Sequence, residues 1–321
     1  MKFYFAPLEG ITGYIYRNAY EDFFGNVDKY VTPFIATNQN RKFSSKELND
    51  ILPEHNRGLV VIPQILSNKA DDFIYTANQL KSFGYDEINL NLGCPSGTVV
   101  AKNKGAGFLS KKGELNKFLE QIFLKAETKI SVKTRIGIND PEEFYELIQI
   151  FNNYPIEELI IHPRVQKDYY KNKPNMKVFK DALNLSSNKV CYNGDIFTYR
   201  DFKKFTEDLQ NVDTIMLGRG LISNPGLIYK LKGESKPYKA TLREFHQRLY
   251  EDYKNVMSGD RNVLFKMKEL WFYMIHIFSN YEKYFKHIKK CNRLIDYDVI
   301  VSRLFEEEEI LEDIDLLFLK K

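Results

Sequence analysis

Eight short apolar runs punctuate the first 220 residues, and helix-like segments separate most of them. The runs lie at 3–7, 29–34, 59–65, 87–92, 129–134, 157–162, 189–193 and 213–218. Each is rich in Val, Ile, Leu, Tyr or Phe and is short, as strands buried on both faces are. The clearest helical segments are 69–83, 113–126, 141–153 and 198–209. Asp140 is expected to cap the third of these, with Pro141 in its first position and acids in its first turn. Thr198 holds the equivalent place before the fourth. Strands alternating with helices leave a closed (β/α)8 barrel or an open doubly wound sheet. No Gly-x-Gly-x-x-Gly follows the first run, which weakens the open sheet. Glu9, Gln64, Asn91, Cys94, Lys133, His162, Asn193, Asp195 and Arg219 all fall at or just past the C-terminal ends of runs. In a barrel those ends meet at one mouth, where active sites are built. The expectation is therefore an α/β fold, a (β/α)8 TIM barrel.

The pattern changes near residue 236. Strand signals stop, and helical stretches follow at 241–257, 262–280 and 282–292. Leu264, Met267, Trp271, Met274 and Phe278 recur at spacings of three or four and give one apolar face. The barrel (1–235) is thus followed by a small C-terminal all-helical domain (236–321). The acidic run Glu306 to Glu309 reads as a solvated helix start. A chain of 321 residues that is 43% hydrophobic buries a core without disulfide or metal staples. Its three cysteines lie far apart with no Cys/His cluster, so no metal site is expected, and a reducing cytoplasm fits. No apolar run approaches the ~18 residues of a membrane helix. The N-terminal stretch meets a charge at Glu9, too soon for a signal peptide.

Lys133 sits in Ile-Ser-Val-Lys-Thr-Arg, where Ser131, Lys133 and Arg135 alternate with Ile130, Val132 and Thr134. In a closed barrel neither face of this strand sees bulk water, so the ammonium must find an anionic ligand or an ion pair. Gly218-Arg219-Gly220 ends the last run, and Asn193-Gly194-Asp195 ends the one before it. Glycines admit a ligand closely, and an arginine beside a helix start holds phosphate. Together the two segments point to a phosphorylated cofactor at the place where barrels often bind one. Cys94 follows a strand directly and opens a loop to residue 107 that would lie over the mouth as a lid. A thiol near its unperturbed pKa of ~8.5 stays protonated at neutral pH, which suits proton donation. His162 reads as a structural histidine or as a donor to a ligand. Gln64 is an amide in an apolar strand that a flat heterocycle would satisfy.

The ordered set Ala6-Pro7-Leu8-Glu9-Gly10-Ile11-Thr12, Arg17, Gln64, Asn91-Leu92-Gly93-Cys94-Pro95, Gly105-Ala106-Gly107, Val132-Lys133-Thr134-Arg135, Ile161-His162-Pro163-Arg164, Asn193-Gly194-Asp195 and Gly218-Arg219-Gly220 resembles the tRNA-dihydrouridine synthase family. The resemblance runs across about residues 3–230. It implies an FMN-bearing barrel with a helical RNA-binding domain, which reduces the C5–C6 double bond of selected uridines with NADPH as electron source. By the family pattern Pro7, Leu8, Glu9, Gln64, Lys133, His162, Asn193, Gly194, Asp195, Gly218 and Arg219 would hold FMN. Hydride would reach uracil C6 from the flavin. Cys94 would protonate C5, Asn91 would help place the uracil, and Lys133 would face the reduced flavin's negative charge. The chain departs from the pattern at Leu8, at Gly13 (where an acid is usual) and at Pro163.

The target base must be flipped out of a folded RNA while lysines and arginines grip phosphates elsewhere. The net charge of +4 conceals an uneven distribution. Residues 236–303 carry 14 Lys and Arg against 8 Asp and Glu, whereas 306–321 carry 2 basic and 7 acidic residues. Lys283, Lys286, Lys290 and Arg293, at spacings of three and four, would line one helix face with Tyr281, Tyr284 and Phe285 among them. Arg135 and Arg164 are further candidates for RNA contact. The expected partner is tRNA, with neither metal nor membrane involved; a monomer is compatible with the sequence. Two alternatives stay open: an FMN barrel acting on a free pyrimidine, as a dihydroorotate dehydrogenase does, or an inactive RNA-binding relative.

Overall fold

The computed structural model describes residues 1–38, 40–234 and 238–311. Ten strands form one sheet in which every pair is parallel: β1 (Lys2–Phe5), β2 (Lys29–Val31), β3 (Ile35–Ala36), β4 (Val61–Ile62), β5 (Gln64–Leu66), β6 (Glu87–Leu92), β7 (Lys129–Arg135), β8 (Leu159–His162), β9 (Val190–Asn193) and β10 (Thr214–Leu217). Their order is β3-β5-β6-β7-β8-β9-β10-β1-β2-β4. The two ends of that order are halves of the same two strands. β2 lies in the run expected at 29–34 and β3 just beyond its end, with Pro33 between them; β4 and β5 divide the next run around Pro63. Because β2 pairs with β4 and β3 with β5, the second and third strands lie side by side and the ring closes on eight strands, two of them interrupted. Proline has no N–H for the ladder, which is why these two strands break where they do.

Inside the ring Tyr4, Ala6, Val31, Ile62, Ile160, Cys191 and Met216 form a separate apolar layer. Around it lie α1 (Tyr14–Phe23), α2 (Ser45–Ile51), α3 (Ala70–Ser82), α4 (Lys112–Lys125), α5 (Glu143–Phe151), α6 (Met176–Leu185) and α7 (Tyr199–Asp208), with shorter turns between. Thr198 caps α7 through a reciprocal capping box with Asp201, as its sequence position predicts. The start of α5 is displaced from the expectation. Glu142, not Asp140, precedes its first helical residue, and the Glu143 carboxylate folds back to accept the Ile138, Asn139 and Asp140 N–H groups.

The helical part contains α8 (Tyr238–Val256), α9 (Asp260–Met274), α10 (Tyr281–Lys290) and α11 (Leu294–Glu307). The apolar stripe of α9 is buried as expected, and Trp271 and His246 both hydrogen-bond the Tyr297 hydroxyl in its core. Glu306 and Glu307 end α11, where a helix start was expected; residues 312–321 of the acidic tail lie outside the described residues. The expected boundary at 235–236 lies outside them too. One continuous hydrophobic cluster joins both parts: Tyr16 and Tyr20 of α1 and Phe24 just after it pack edge-on against Phe245 of α8.

Candidate active site

The strand ends place Pro7, Leu8, Glu9, Gln64, Asn91, Cys94, Lys133 and His162 around one cleft of about 270 Å³ at the mouth of the barrel. With Arg135, which lines the same cleft, nine residues singled out by sequence thus converge. Asn89, Gln64 and Asn91, on neighbouring strands β6 and β5, form a relay of amides. Asn89 donates to Ser131 (3.0 Å) and accepts from Gln64 (2.8 Å), and Gln64 accepts from Asn91 (2.7 Å). The Asn91 carbonyl oxygen in turn accepts the backbone N–H groups of Gly93 (3.0 Å) and Cys94 (2.9 Å). Gln64 is therefore satisfied within the protein, and the first task of Asn91 is to fix the turn that carries Cys94. Burial pushes the Cys94 thiol up, so it holds its proton at neutral pH.

The loop after Cys94 does not hang over the mouth. Only Cys94 and Pro95 of it line the cleft. The remainder is tied to the barrel rim by Asn68, which donates to the Lys102 and Asn103 carbonyls, and by Lys104, which donates to the Thr37 carbonyl. Gly105 makes the fold-back possible. Its φ is +55°, and a Cβ there would lie 2.9 Å from the Cys94 carbonyl oxygen.

The Lys133 ammonium has no hydrogen-bond or carboxylate partner among the described residues. Burial and the neighbouring Arg135 lower its pKa to about 8. A cation left unpaired on a cleft floor fits a negatively charged or electron-rich ligand. His162 sits among Lys133, Arg135, Arg164 and Arg219, and burial with these charges drives it well below its ordinary pKa. It is neutral, and because Arg164 can only donate (2.9 Å), His162 Nε2 is the acceptor and Nδ1 carries the hydrogen. The cleft therefore offers an ammonium, an imidazole N–H and a protonated thiol above an apolar barrel layer. These residues fit the flat ring of a flavin.

The proposed phosphate end differs from expectation. Asn193, Gly194, Asp195, Gly218 and Arg219 do not line the cleft. Asn193 donates to the Met216 carbonyl (2.8 Å), and Asp195 bridges Arg164 and Arg219. Tyr170 lies over Arg219 with its ring 4.1 Å from the guanidinium. The cations for a phosphate are present but turned to the protein's own carboxylate and ring. Arg135 and Arg164, expected to contact RNA, are both buried. Both are 1% exposed; Arg135 lines the cleft and donates to the Gly93, Val165 and Tyr169 carbonyls. Lys283, Lys286 and Lys290 are exposed on α10 as expected; Tyr284 is buried, and Arg293 lies beyond the helix, paired with Asp296 at 2.6 Å.

Five cleft residues escape the sequence reading: Pro33 and Phe34 between β2 and β3, Tyr170 from the loop after β8, and Glu269 and Tyr273 from α9. Lys266, Glu269 and Tyr273 recur at spacings of three and four opposite the buried stripe, which is the signal that marks them. Near the cleft Gly13 departs from the family pattern, and the acid returns from elsewhere. Asp50 of α2, only 6% exposed, accepts the Tyr14 N–H (2.6 Å) at the start of α1 and lies 3.8 Å from the buried Arg17. A Cβ at Gly13 would meet the same carboxylate at 3.0 Å.

Among the described residues no three His, Cys, Asp or Glu side chains gather as a metal site, and no helix is long and apolar enough to cross a membrane. The family model for dihydrouridine synthase matches residues 4–315. A tRNA-dihydrouridine(16) synthase of Aquipseudomonas alcaligenes is 26% identical over 235 residues, 71% of this chain and 74% of that one. A probable tRNA-dihydrouridine synthase 2 of Bacillus subtilis is 25% identical over 78% of both chains. Among solved structures, morphinone reductase in complex with tetrahydroNAD superposes with a TM-score of 0.52 at 11% identity, over 75% of this chain and 89% of that one. Histamine dehydrogenase from Rhizobium sp. 4-9 superposes at 0.55 and 12%, over 84% and 49%. At these identities the two structures attest the barrel fold alone.

Proposed function

The chain belongs to the dihydrouridine synthase family, and from that premise we propose that it reduces the C5–C6 double bond of uridines in tRNA with FMN and NADPH. The observation that carries this reading is the cleft in which an unpartnered Lys133 and a protonated Cys94 share one wall. FMN, when bound, supplies the hydride equivalent that uracil C6 needs and is recharged by the nicotinamide. Lys133 opposes the negative charge that ring reduction brings, and the His162 Nδ1–H is a donor for a carbonyl beside it. Asn91 holds the Gly93 and Cys94 N–H groups, so the backbone that carries the thiol is fixed at the cleft. Cys94 then gives its proton to C5, and the thiolate recovers one from water. Lys283, Lys286 and Lys290 grip phosphates at a distance.

The test is purified protein on unmodified tRNA with NADPH, dihydrouridine being counted after digestion. Cys94→Ala keeps bound flavin and its reduction but loses most dihydrouridine formation. Full activity of that variant removes Cys94 from the chemistry. Turnover of free uracil derivatives in place of tRNA supports the free-pyrimidine reading, and protein without flavin absorbance refutes the enzyme altogether.

A further inference from the structure

Beside the catalytic cleft lies a second cavity of about 420 Å³, between the start of α1, α2 and the α8–α9 junction. It shares Ile11 and Pro33 with the cleft as a common wall. Two ion pairs stand in that partition. Lys46 pairs with Glu9 at 2.6 Å and Lys266 with Glu269 at 2.7 Å. Both glutamates line the cleft and both lysines line the second cavity. The cavity's other walls are flat or apolar: Ile15, Tyr253, Met257 and Tyr14, whose ring already stacks on His55 at 4.4 Å.

Asp50 also lines this cavity and is 6% exposed. Its Oδ1 takes the Tyr14 N–H, but its Oδ2 accepts no hydrogen bond among the described residues. That oxygen is not sealed from solvent, so it meets water or a ligand N–H through the cavity. The chamber offers an apolar surface for a flat body, a carboxylate oxygen open to an N–H on that body's edge, and two lysines that can turn from their glutamates to an anionic group. A nucleotide matches all three.

We propose that this chamber receives the nucleotide next to the reacting uridine in the same RNA strand, its base against Tyr14 and Met257, a base N–H on Asp50 and its phosphate at Lys46 and Lys266. The inference rests on RNA being the substrate. The shared wall supports the occupant: consecutive nucleotides of a splayed strand fall on either side of Ile11 and Pro33. It adds a second recognised base to a reaction that needs only one, so sequence context beside the uridine affects binding.

The test uses the flavin-loaded protein and a tRNA stem–loop carrying an abasic site on the 5′ or on the 3′ side of the target uridine, with affinity measured directly. One of the two abasic RNAs is expected to bind roughly ten- to a hundredfold more weakly than intact RNA, the usual scale of one base–aromatic stack. Met257→Trp, which fills the chamber, lowers intact-RNA affinity by a similar factor and erases the difference between the RNAs. Equal affinity for all three RNAs on the native protein overturns the proposal without any variant having to fold. Tight RNA binding without dihydrouridine formation refutes the proposed activity and leaves the chamber to be judged on affinity. Absence of RNA binding refutes both.

Discussion

Lys133→Met should make the flavin-free protein more stable, by an amount that depends on pH. In the fold the Lys133 amine titrates near 8, because burial and Arg135 disfavour its charge. In the unfolded chain it titrates near ~10.4. At pH 7 folding must carry a charge the cleft resists, and the gap corresponds to at most about 3 kcal/mol. Between the two pKa values the unfolded chain binds more protons than the fold, so this penalty shrinks as pH rises and vanishes above the unfolded value. At pH 9.5 about 1 kcal/mol remains. Methionine keeps most of the aliphatic stem and removes the charge. Urea unfolding of both proteins, flavin removed, at pH 7 and 9.5 gives the difference directly, and effects of other titrating groups cancel in it. The advantage of the variant should fall from about 3 to about 1 kcal/mol across that interval. Adding flavin should reverse the order, because only the native protein gains a pair between its ammonium and the bound ring. A stability difference of zero, or one independent of pH, refutes the claim that the ammonium stands unpaired on the cleft floor.

Asp195→Ala strands the buried guanidinium of Arg164 and that of Arg219 beside it, and should cost about 3–5 kcal/mol in denaturant unfolding. A cost below about 1 kcal/mol would show that solvent already screens the cluster. Charge reversal at both Lys286 and Lys290 should weaken tRNA binding and lower the slope of affinity against salt by about one for each phosphate that is no longer gripped. An unchanged slope moves the RNA grip off α10.

The barrel was legible because parallel strands buried on both faces need apolar runs, and β6 (Glu87–Leu92) was readable to the residue. The splitting of two strands was legible only in the prolines at 33 and 63. The cleft's inner half was legible because its residues sit at strand ends, where the barrel brings them together whatever their sequence separation. Other features depend on tertiary pairings that no local pattern carries. Asp50 caps a helix 36 positions away, and Arg164 spends its charge on Asp195 across 31. Arg135 was read as free for RNA because strand alternation says which face a side chain takes but not which carbonyls already wait there. Likewise α10's basic spacing was readable, but the Glu307 carboxylate that draws Tyr284 inward belongs to another helix.

Glu269 and Tyr273 reach the cleft from α9, more than 250 positions after Pro7, which lines the same cleft. During synthesis the barrel strands are all complete by Leu217, well before α9 leaves the ribosome. The nascent barrel therefore waits with one side of its mouth missing, and the chamber becomes whole only when the last helices dock on α1. Flavin capture and final docking should then be concerted events, and a chain cut short before residue 260 would be a barrel that cannot finish its own mouth.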